Sequence, residues 1–251
     1  MRARVRSIVA ENAVKPSLRI GTFIALGVAL LILISLGTWQ VERLHWKEGL
    51  IAEIDARRTA APITVEQALA DIVNGVDVEY RAIALTGRFD HAKERYFLAT
   101  SDGAPGFYVY TPLTLADGRI IFINRGFVPD ELKDPAKRKA GEIDGDITVK
   151  GLARAKLTAK PSFMMPDNEP AKNLFFWKDM DAMAASAGLD HTKLLPFFVD
   201  AGSATNPGGY PVGGVTQIDL PNNHLSYAVT WYGLAVALVV ISMLAMRRKA
   251  R

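Results

Sequence analysis

Two apolar runs without a charged side chain dominate the pattern of hydrophobic and polar positions along the chain. Residues 20–41 form the first run and residues 225–246 the second, and each is 22 residues long. At a rise of about 1.5 Å per residue, such a run makes a helix of about 33 Å, enough to cross the hydrocarbon core of a bilayer. The pattern therefore predicts two transmembrane helices. A cleaved signal peptide is the alternative for the first run, but signal peptides have shorter apolar regions and a small-residue cleavage site, so we expect an uncleaved anchor.

Between the two runs the pattern changes to short β-like segments, which lie at 80–89, 95–100, 106–115, 119–127 and 146–153. Asp117-Gly118 falls between two of these segments and predicts a hairpin with a type I′ turn. A helix is expected to continue from the first run through Arg58, and a second helix is expected to follow a capping box formed by Thr64 and Gln67. A third helix is expected at 179–187, and a buried strand at 194–199. The predicted fold class is a membrane protein in which two transmembrane α-helices flank an extramembrane α+β domain, mainly of antiparallel β.

The charges that flank the two runs predict how the chain crosses the membrane. Residues 1–19 carry five basic side chains and one acidic one, and residues 247–251 carry four basic side chains and no acidic one. Since basic flanks favour the cytoplasmic side, both termini are expected in the cytoplasm. The expected organisation is a cytoplasmic N-terminus (1–19), a transmembrane helix (20–41), a periplasmic domain (42–224), a second transmembrane helix (225–246) and a cytoplasmic tail (247–251).

Composition narrows the possible functions. The absence of cysteine excludes disulfides, thiolate metal sites and a cysteine nucleophile. The net charge of +4 comes from the two ends, because the segment between them has 21 basic and 25 acidic residues, and so it does not indicate nucleic-acid binding. None of the common phosphate-binding, metalloprotease or serine-hydrolase motifs is present, so we do not expect an enzyme. The basic segment 133–139 is interpreted as a solvated loop.

His224 is the side chain with the most evident chemical potential, because it directly precedes the second apolar run. Partial burial at the boundary between water and lipid favours the neutral imidazole, which can coordinate iron or another metal if its other nitrogen is hydrogen-bonded, for example by Asn222 or Asn223. An interfacial anchor is the structural alternative. His45 lies about one turn beyond the first run, which raises the hypothesis of a two-histidine haem clamp. Arg125 ends an apolar strand and needs a partner, either in a structural ion pair or in a ligand carboxylate such as a propionate.

Motifs at both ends of the domain resemble the surfeit locus protein family of cytochrome c oxidase assembly factors. The opening motif is Leu36-Gly37-Thr38-Trp39-Gln40, followed by Arg43-Leu44 and Trp46-Lys47. The closing motif is Asn222-Asn223-His224-Leu225, followed by Tyr227-Ala228 and Thr230-Trp231-Tyr232-Gly233. Between them, Tyr80-Arg81, Gly87-Arg88-Phe89, Thr111-Pro112-Leu113 and Asn124-Arg125-Gly126-Phe127-Val128-Pro129 occur in the expected order. The resemblance therefore covers nearly the whole chain.

The resemblance implies a role in the maturation of haem-copper oxidase, in which the chain binds haem a and aids its insertion into subunit I. It also implies that the histidine matching His224 is an axial ligand of the haem, and we expect Tyr227 and Trp231 to line the ring and Arg125 to contact a propionate. The expected partners are cytochrome c oxidase subunit I, haem a synthase and the lipid bilayer. Because the N-terminus does not resemble a long organelle-targeting presequence, we expect a bacterial inner membrane.

Two other functions are compatible with the residues. The chain could be a scaffold that stabilises an oxidase assembly intermediate through protein contacts alone, with His224 as an anchor. It could also be a membrane-tethered envelope enzyme or sensor, although no acid, base and nucleophile converge in the sequence to support this class.

Overall fold

The computed structural model describes residues 16–216, 218 and 220–249, and it divides into two compact units. The helical unit contains the described residues up to Ala52 and from Leu220, and the β domain is Glu53–Asp219. Most of the predicted cytoplasmic N-terminus and the last two residues of the predicted tail lie outside the described residues. In chain order, the elements are α1 (Pro16–Thr59), α2 (Val65–Val73), β1 (Ala82–Phe89), β2 (Arg95–Ser101), β3 (Ala104–Leu115), β4 (Ile120–Pro129), β5 (Asp146–Ala155), β6 (Leu174–Phe175), α3 (Met180–Ser186), β7 (Phe197–Ala201) and α4 (His224–Lys249).

The two predicted transmembrane segments are helical, within α1 and α4. Both helices contain a long window of high hydropathy in which only 6% of the residues are buried. A core helix of a soluble protein would instead bury most of such a window. The apolar side chains of α1 and α4 are thus available to lipid, as expected for membrane-spanning helices. As predicted, α1 continues beyond the first apolar run, and it ends at Thr59.

The strands of the β domain form one sheet that closes on itself. The strand order is β1-β5-β7-β4-β3-β2-β6, and β1 also pairs with β3, so that β1, β5, β7, β4 and β3 make a closed ring. All pairings are antiparallel except β4 with β7 and β2 with β6. Closure removes the free edges of the five ring strands, and β2 and β6 extend the sheet outward. The structure confirms a mainly antiparallel domain between two membrane helices.

Alternate residues of the ring strands pack into the main hydrophobic core. This cluster includes Ile83, Leu85, Leu113, Ile121, Ile123, Val149, Phe197 and Val199. The helix α2 contributes Val65 and Ala68 to it, and its N-terminus has the predicted capping box between Thr64 and Gln67. On the opposite face of the strands, α3 packs Met180 and Met183 into a second cluster with several aromatic side chains, Tyr110, Phe122, Phe175 and Phe198. The two clusters hold the sheet between α2 and α3.

Several predicted details differ from the structure. The hairpin between β3 and β4 is present, but its turn is not type I′, because Gly118 has a positive φ and Asp117 does not. Instead, the N–H of Gly118 bonds to Leu115 and the N–H of Leu115 bonds to Arg119, which is a three-residue loop with a glycine bulge. The last strand begins at Phe197, and Leu194 makes only an isolated bridge. The hydrophobic pattern does not predict β6, because a strand of two residues is too short to show an alternation of apolar and polar side chains.

Candidate functional site

The two motif-bearing segments meet where α1 and α4 pack together. A Cβ atom added at Gly37 would lie 2.8 Å from the ring of Tyr232, so only glycine allows this approach. Ala228 and Ala235 are buried on α4, and small residues of this kind permit close helix packing. The hydroxyl groups of Thr38 and Tyr232 are hydrogen-bonded at 3.0 Å. The opening motif therefore packs directly against the closing motif, although Thr38 and Tyr232 are 194 positions apart along the chain.

His224 is the first residue of α4, and its ring is held by a residue of the opening motif. The Nδ1 atom of His224 lies 2.6 Å from Oε1 of Gln40, whose side chain is buried. Since an amide oxygen only accepts hydrogen bonds, Nδ1 is the donor, and in the neutral imidazole the lone pair is then on Nε2. No described residue occupies Nε2. The arrangement fixes the orientation of the ring and directs Nε2 away from Gln40, as in histidines that ligate a metal through Nε2.

The expectation that Asn222 or Asn223 supports His224 is wrong, because Gln40 takes this role. The backbone oxygen of Asn223 instead accepts from the N–H of Tyr227 in the first turn of α4, and Oδ1 of Asn222 is buried without a partner among the described residues. The Gln40 side chain reaches the His224 ring because α1, which carries Gln40, packs against α4.

His45 does not join His224. It is exposed, and five helical residues place it about 140° around α1 from Gln40, away from the side that packs on α4. The structure therefore does not support the two-histidine clamp.

Tyr227 and Trp231 share a side of α4 with His224, because they follow it by three and seven residues. Tyr227 is exposed and Trp231 is half-buried. Both rings are thus available to a flat apolar ligand beside His224, and their role as ring contacts stays a prediction.

Arg125 belongs to the β domain, where it takes part in a buried cluster of charges. Its guanidinium is 3.7 Å from the carboxylate of Glu94, donates to the backbone oxygen of Gly141, and donates to Oδ1 of Asn206 at 3.1 Å. Only 2% of the Arg125 side chain is exposed. This is the structural ion pair considered for Arg125 from the sequence, and contact with a propionate stays a prediction that this geometry does not favour.

Glu94 is the centre of that cluster, and sequence reasoning missed it. Its carboxylate pairs with Arg138 and accepts from the hydroxyls of Tyr96 at 3.2 Å and Thr111 at 3.3 Å. Burial by itself would raise the pKa of Glu94, but hydrogen bonds from His91 and Arg138, with the positive charges of Arg138 and Arg125, lower it to about 2. Burial of the Arg125 guanidinium lowers its pKa to about 10, although the negative charge of Glu94 acts to raise it.

The interpretation of segment 133–139 as a solvated loop is wrong at Arg138, which is buried. Its guanidinium turns inward because Glu94 offers a charged partner beneath the loop. The neighbouring Lys137 and Lys139 are exposed, as the interpretation predicts.

The described residues contain no group of three or more histidine, aspartate or glutamate side chains arranged to hold a metal ion. The family model described as the SURF1 family matches residues 27–236, which include Gln40, His224 and both packed motifs. The chain belongs to the SURF1 family. The match confirms the resemblance that the two motifs indicate.

Curated relatives within the SURF1 family agree with this assignment. Surfeit locus protein 1 of Rattus norvegicus is 39% identical over 219 residues, which cover 80% of this chain and 68% of the relative. The Homo sapiens protein of the same name is 39% identical over 220 residues, covering 80% of this chain and 70% of the relative. A SURF1-like protein of Monosiga brevicollis is 35% identical over 242 residues, covering 91% and 88%. None of these names is that of an enzyme.

Proposed function

We propose that this SURF1-family chain is an assembly factor for haem-copper cytochrome c oxidase, which binds haem a and aids its insertion into subunit I. The observation that carries the proposal is the hydrogen bond from Nδ1 of His224 to Gln40. It joins the two motifs of the family and leaves one imidazole nitrogen free as a ligand. An interfacial anchor needs no such buried partner, so this geometry favours a ligand role over an anchoring role.

The residues around His224 fit haem a. The fixed hydrogen bond at Nδ1 selects the tautomer in which Nε2 can coordinate iron, and a hydrogen bond of this kind also raises the basicity of the ligand. Haem a, when bound, would supply an iron that takes a nitrogen ligand and a largely apolar ring. Tyr227 and Trp231 offer aromatic surface next to His224 for the ring. The ligand role is thus assigned to His224 and the packing role to Tyr227 and Trp231.

A site of this kind suits transfer rather than permanent storage. Tyr227 is 56% exposed, and His224 is only partly buried, so the helical unit presents an open surface. Release to an acceptor needs an affinity that is modest and depends on one exchangeable ligand. We propose haem a synthase as the donor and oxidase subunit I as the acceptor.

The same proposal places the chain in the inner membrane of a bacterium, with both termini in the cytoplasm and the β domain in the periplasm. The basic residues that support this orientation lie in 1–19, before the first apolar run, and in 247–251, after the second. Gly145 lies in the turn before β5 and is a position for inserting a reporter enzyme. We expect activity there from a reporter that works in the periplasm and none from a reporter that works only in the cytoplasm. Activity of a reporter that works only in the cytoplasm would contradict the orientation.

A deletion strain tests the proposed function. Cells that lack this chain but still make haem a are expected to lose most of their haem a oxidase activity, with haem a still detectable in their membranes. Restoring the wild-type chain should restore activity. Normal respiration in the deletion strain would contradict an assembly role and favour an unrelated envelope enzyme or sensor.

Expression of His224→Ala in the deletion strain distinguishes a haem-binding role from a scaffold role. Full restoration by His224→Ala would contradict the ligand role and indicate a scaffold that acts through protein contacts alone. Failure of His224→Ala to restore activity, while the protein accumulates at the wild-type level, is the result that we expect.

A further inference from the structure

Two basic side chains of α1, Arg43 and Lys47, follow the contact between Gln40 and His224 on the side away from the first apolar run. At about 1.5 Å per residue, Arg43 is about 4.5 Å and Lys47 about 10.5 Å farther along the helix axis than Gln40. At about 100° per residue, they are turned from Gln40 by about 60° and 20°, both in the same sense. Both cations therefore lie on the side of α1 that carries the contact with His224.

The guanidinium of Arg43 is held in place without an anionic partner. Its Cζ atom lies over the ring of Trp46, 3.8 Å from the ring centroid. Within the described part of the chain, no hydrogen-bond acceptor or carboxylate pairs with it. Both Arg43 and Trp46 are exposed. The guanidinium is thus oriented by an aromatic ring and free to donate to an acceptor from outside the chain.

Lys47 connects the opening motif to the segment that leads into α4. Its amino group donates to the backbone oxygen of Pro221, three residues before His224. An ammonium group has further N–H donors, and none of the residues that the structure describes accepts from them. Lys47 therefore helps to position the start of α4 and can still donate to a second acceptor.

The acidic side chains of the same part of α1 point in other directions. Glu48 is turned from Gln40 by about 80° in the sense opposite to Arg43, and Glu42 is about 160° from Gln40. Residues 41–48 of α1 thus bring positive charge, and no acidic side chain, to the side where Arg43 and Lys47 lie.

The aromatic side chains next to His224 share a side of the helix pair with Arg43. Tyr227 and Trp231 are turned from His224 by about 60° and 20°, in the same sense in which Arg43 is turned from Gln40. Because α1 and α4 are antiparallel, as their hydrogen bonds show, this sense leads to the same side of the pair on both helices. The aromatic rings lie within the second apolar run, and the cations lie beyond the first. The surface around His224 is therefore aromatic towards lipid and basic towards water.

We propose that Arg43 and Lys47 bind the two propionate groups of the haem that His224 ligates, an inference that rests on the proposed function. Both carboxylates of haem a are on one edge of its ring, and carboxylates that leave water need cationic partners. Arg43 can donate two parallel hydrogen bonds to a carboxylate, and Lys47 adds a second positive charge. The two cations thus determine which edge of the ring faces the aqueous phase.

Haem a and its dimethyl ester, in which both carboxylates are masked, test the proposal with the full chain in nanodiscs of zwitterionic lipid. In absorption titrations, Arg43→Gln is expected to weaken haem a binding by about tenfold or more, because it removes a hydrogen bond between charged groups. The affinity for the ester should not change. Arg248→Gln removes the same charge at the other end of α4 and should change neither affinity. Equal haem a affinity in wild type and Arg43→Gln, or an equal loss for haem a and ester, would overturn the proposal.

Lys47→Met also removes the hydrogen bond to Pro221, so it is expected to weaken the binding of both compounds. The loss should be larger for haem a than for the ester, since only haem a offers carboxylates. An equal loss would show that Lys47 acts only on the position of α4 and would contradict its contact with a propionate.

The variant His224→Ala separates this proposal from the proposed function. If neither compound binds to the wild-type chain, or if both bind equally well to His224→Ala, the ligand role of His224 fails and the propionate assignment fails with it. If binding depends on His224 but not on Arg43, only the propionate assignment fails.

A measurement on the unmutated chain does not depend on the folding of any variant. A dicarbonyl reagent modifies accessible arginines, and peptide mass spectrometry reports the rate at each position. Haem a is expected to slow modification of Arg43 without affecting Arg248, and the ester to protect Arg43 much less. An unchanged rate at Arg43 with haem a bound, or equal protection by the ester, would contradict the proposal.

Discussion

On the proposed function, haem a is expected to co-purify with the wild-type chain from cells that make this cofactor, and substitution of His224 by alanine is expected to remove most of it. The substitution removes the only imidazole that α1 and α4 hold in place by a hydrogen bond at Nδ1, among the residues that the structure describes. Loss of an axial ligand should lower haem occupancy by more than about tenfold, since removing even a supporting partner of a ligand lowers affinity by roughly 10- to 100-fold. Haem content per chain, measured by pyridine haemochrome, checks this expectation.

Two matched variants define the origin of that loss. His45→Ala removes an exposed histidine of α1 and should leave the haem content unchanged. Gln40→Leu keeps the ligand but removes the acceptor for Nδ1, so it should lower affinity without abolishing binding. Retention of stoichiometric haem by His224→Ala, with an unchanged Soret band, would show that His224 is not the ligand.

Glu94→Gln is expected to cause the largest loss of stability, about 3 to 5 kcal/mol in the free energy of unfolding of the β domain. The substitution leaves the buried guanidinium of Arg138 without its anionic partner and removes the nearest negative charge from Arg125. Thermal and denaturant unfolding of the full chain in detergent measure the effect. Glu131→Gln removes an equal charge at an exposed position and should change stability by no more than about 0.5 kcal/mol.

The stability difference between wild type and Glu94→Gln should also depend on pH. The pKa of Glu94 is about 2 in the folded chain against an ordinary value of 4.5, so the ionised carboxylate stabilises the fold fully above pH 4.5. This contribution is lost progressively as the pH falls from 4.5 towards 2. The gap between the two proteins should therefore narrow over that range. A constant gap would contradict the buried ion pair as its cause.

Much of the fold could be predicted because its signals are local. Membrane helices require long uncharged runs, the capping box requires two polar residues at a fixed spacing, and most strands lie close to their predicted positions. The turn after β3 differs because Asp-Gly also fits a three-residue loop, in which only Gly118 needs a positive φ. The two-residue strand β6 depends on pairing with β2 and leaves no periodic pattern of its own.

The sites were harder to predict because their residues are distant in sequence. His224 could be identified from its position before an apolar run and from the family resemblance. Gln40 could not be assigned as its partner, since their contact depends on how α1 and α4 pack across 184 positions. Glu94 and Arg138 are 44 residues apart, and each resembles a solvated charge beside a strand or in a loop.

The central claim is that Gln40 holds His224 so that Nε2 of its imidazole ligates haem iron. The most direct test is resonance Raman spectroscopy of the reduced, haem-loaded chain, prepared with and without ¹⁵N-labelled histidine. We predict an iron–nitrogen stretching band that shifts with the label and is absent in His224→Ala. A band that ignores the label, or that persists unchanged in His224→Ala, would contradict the claim.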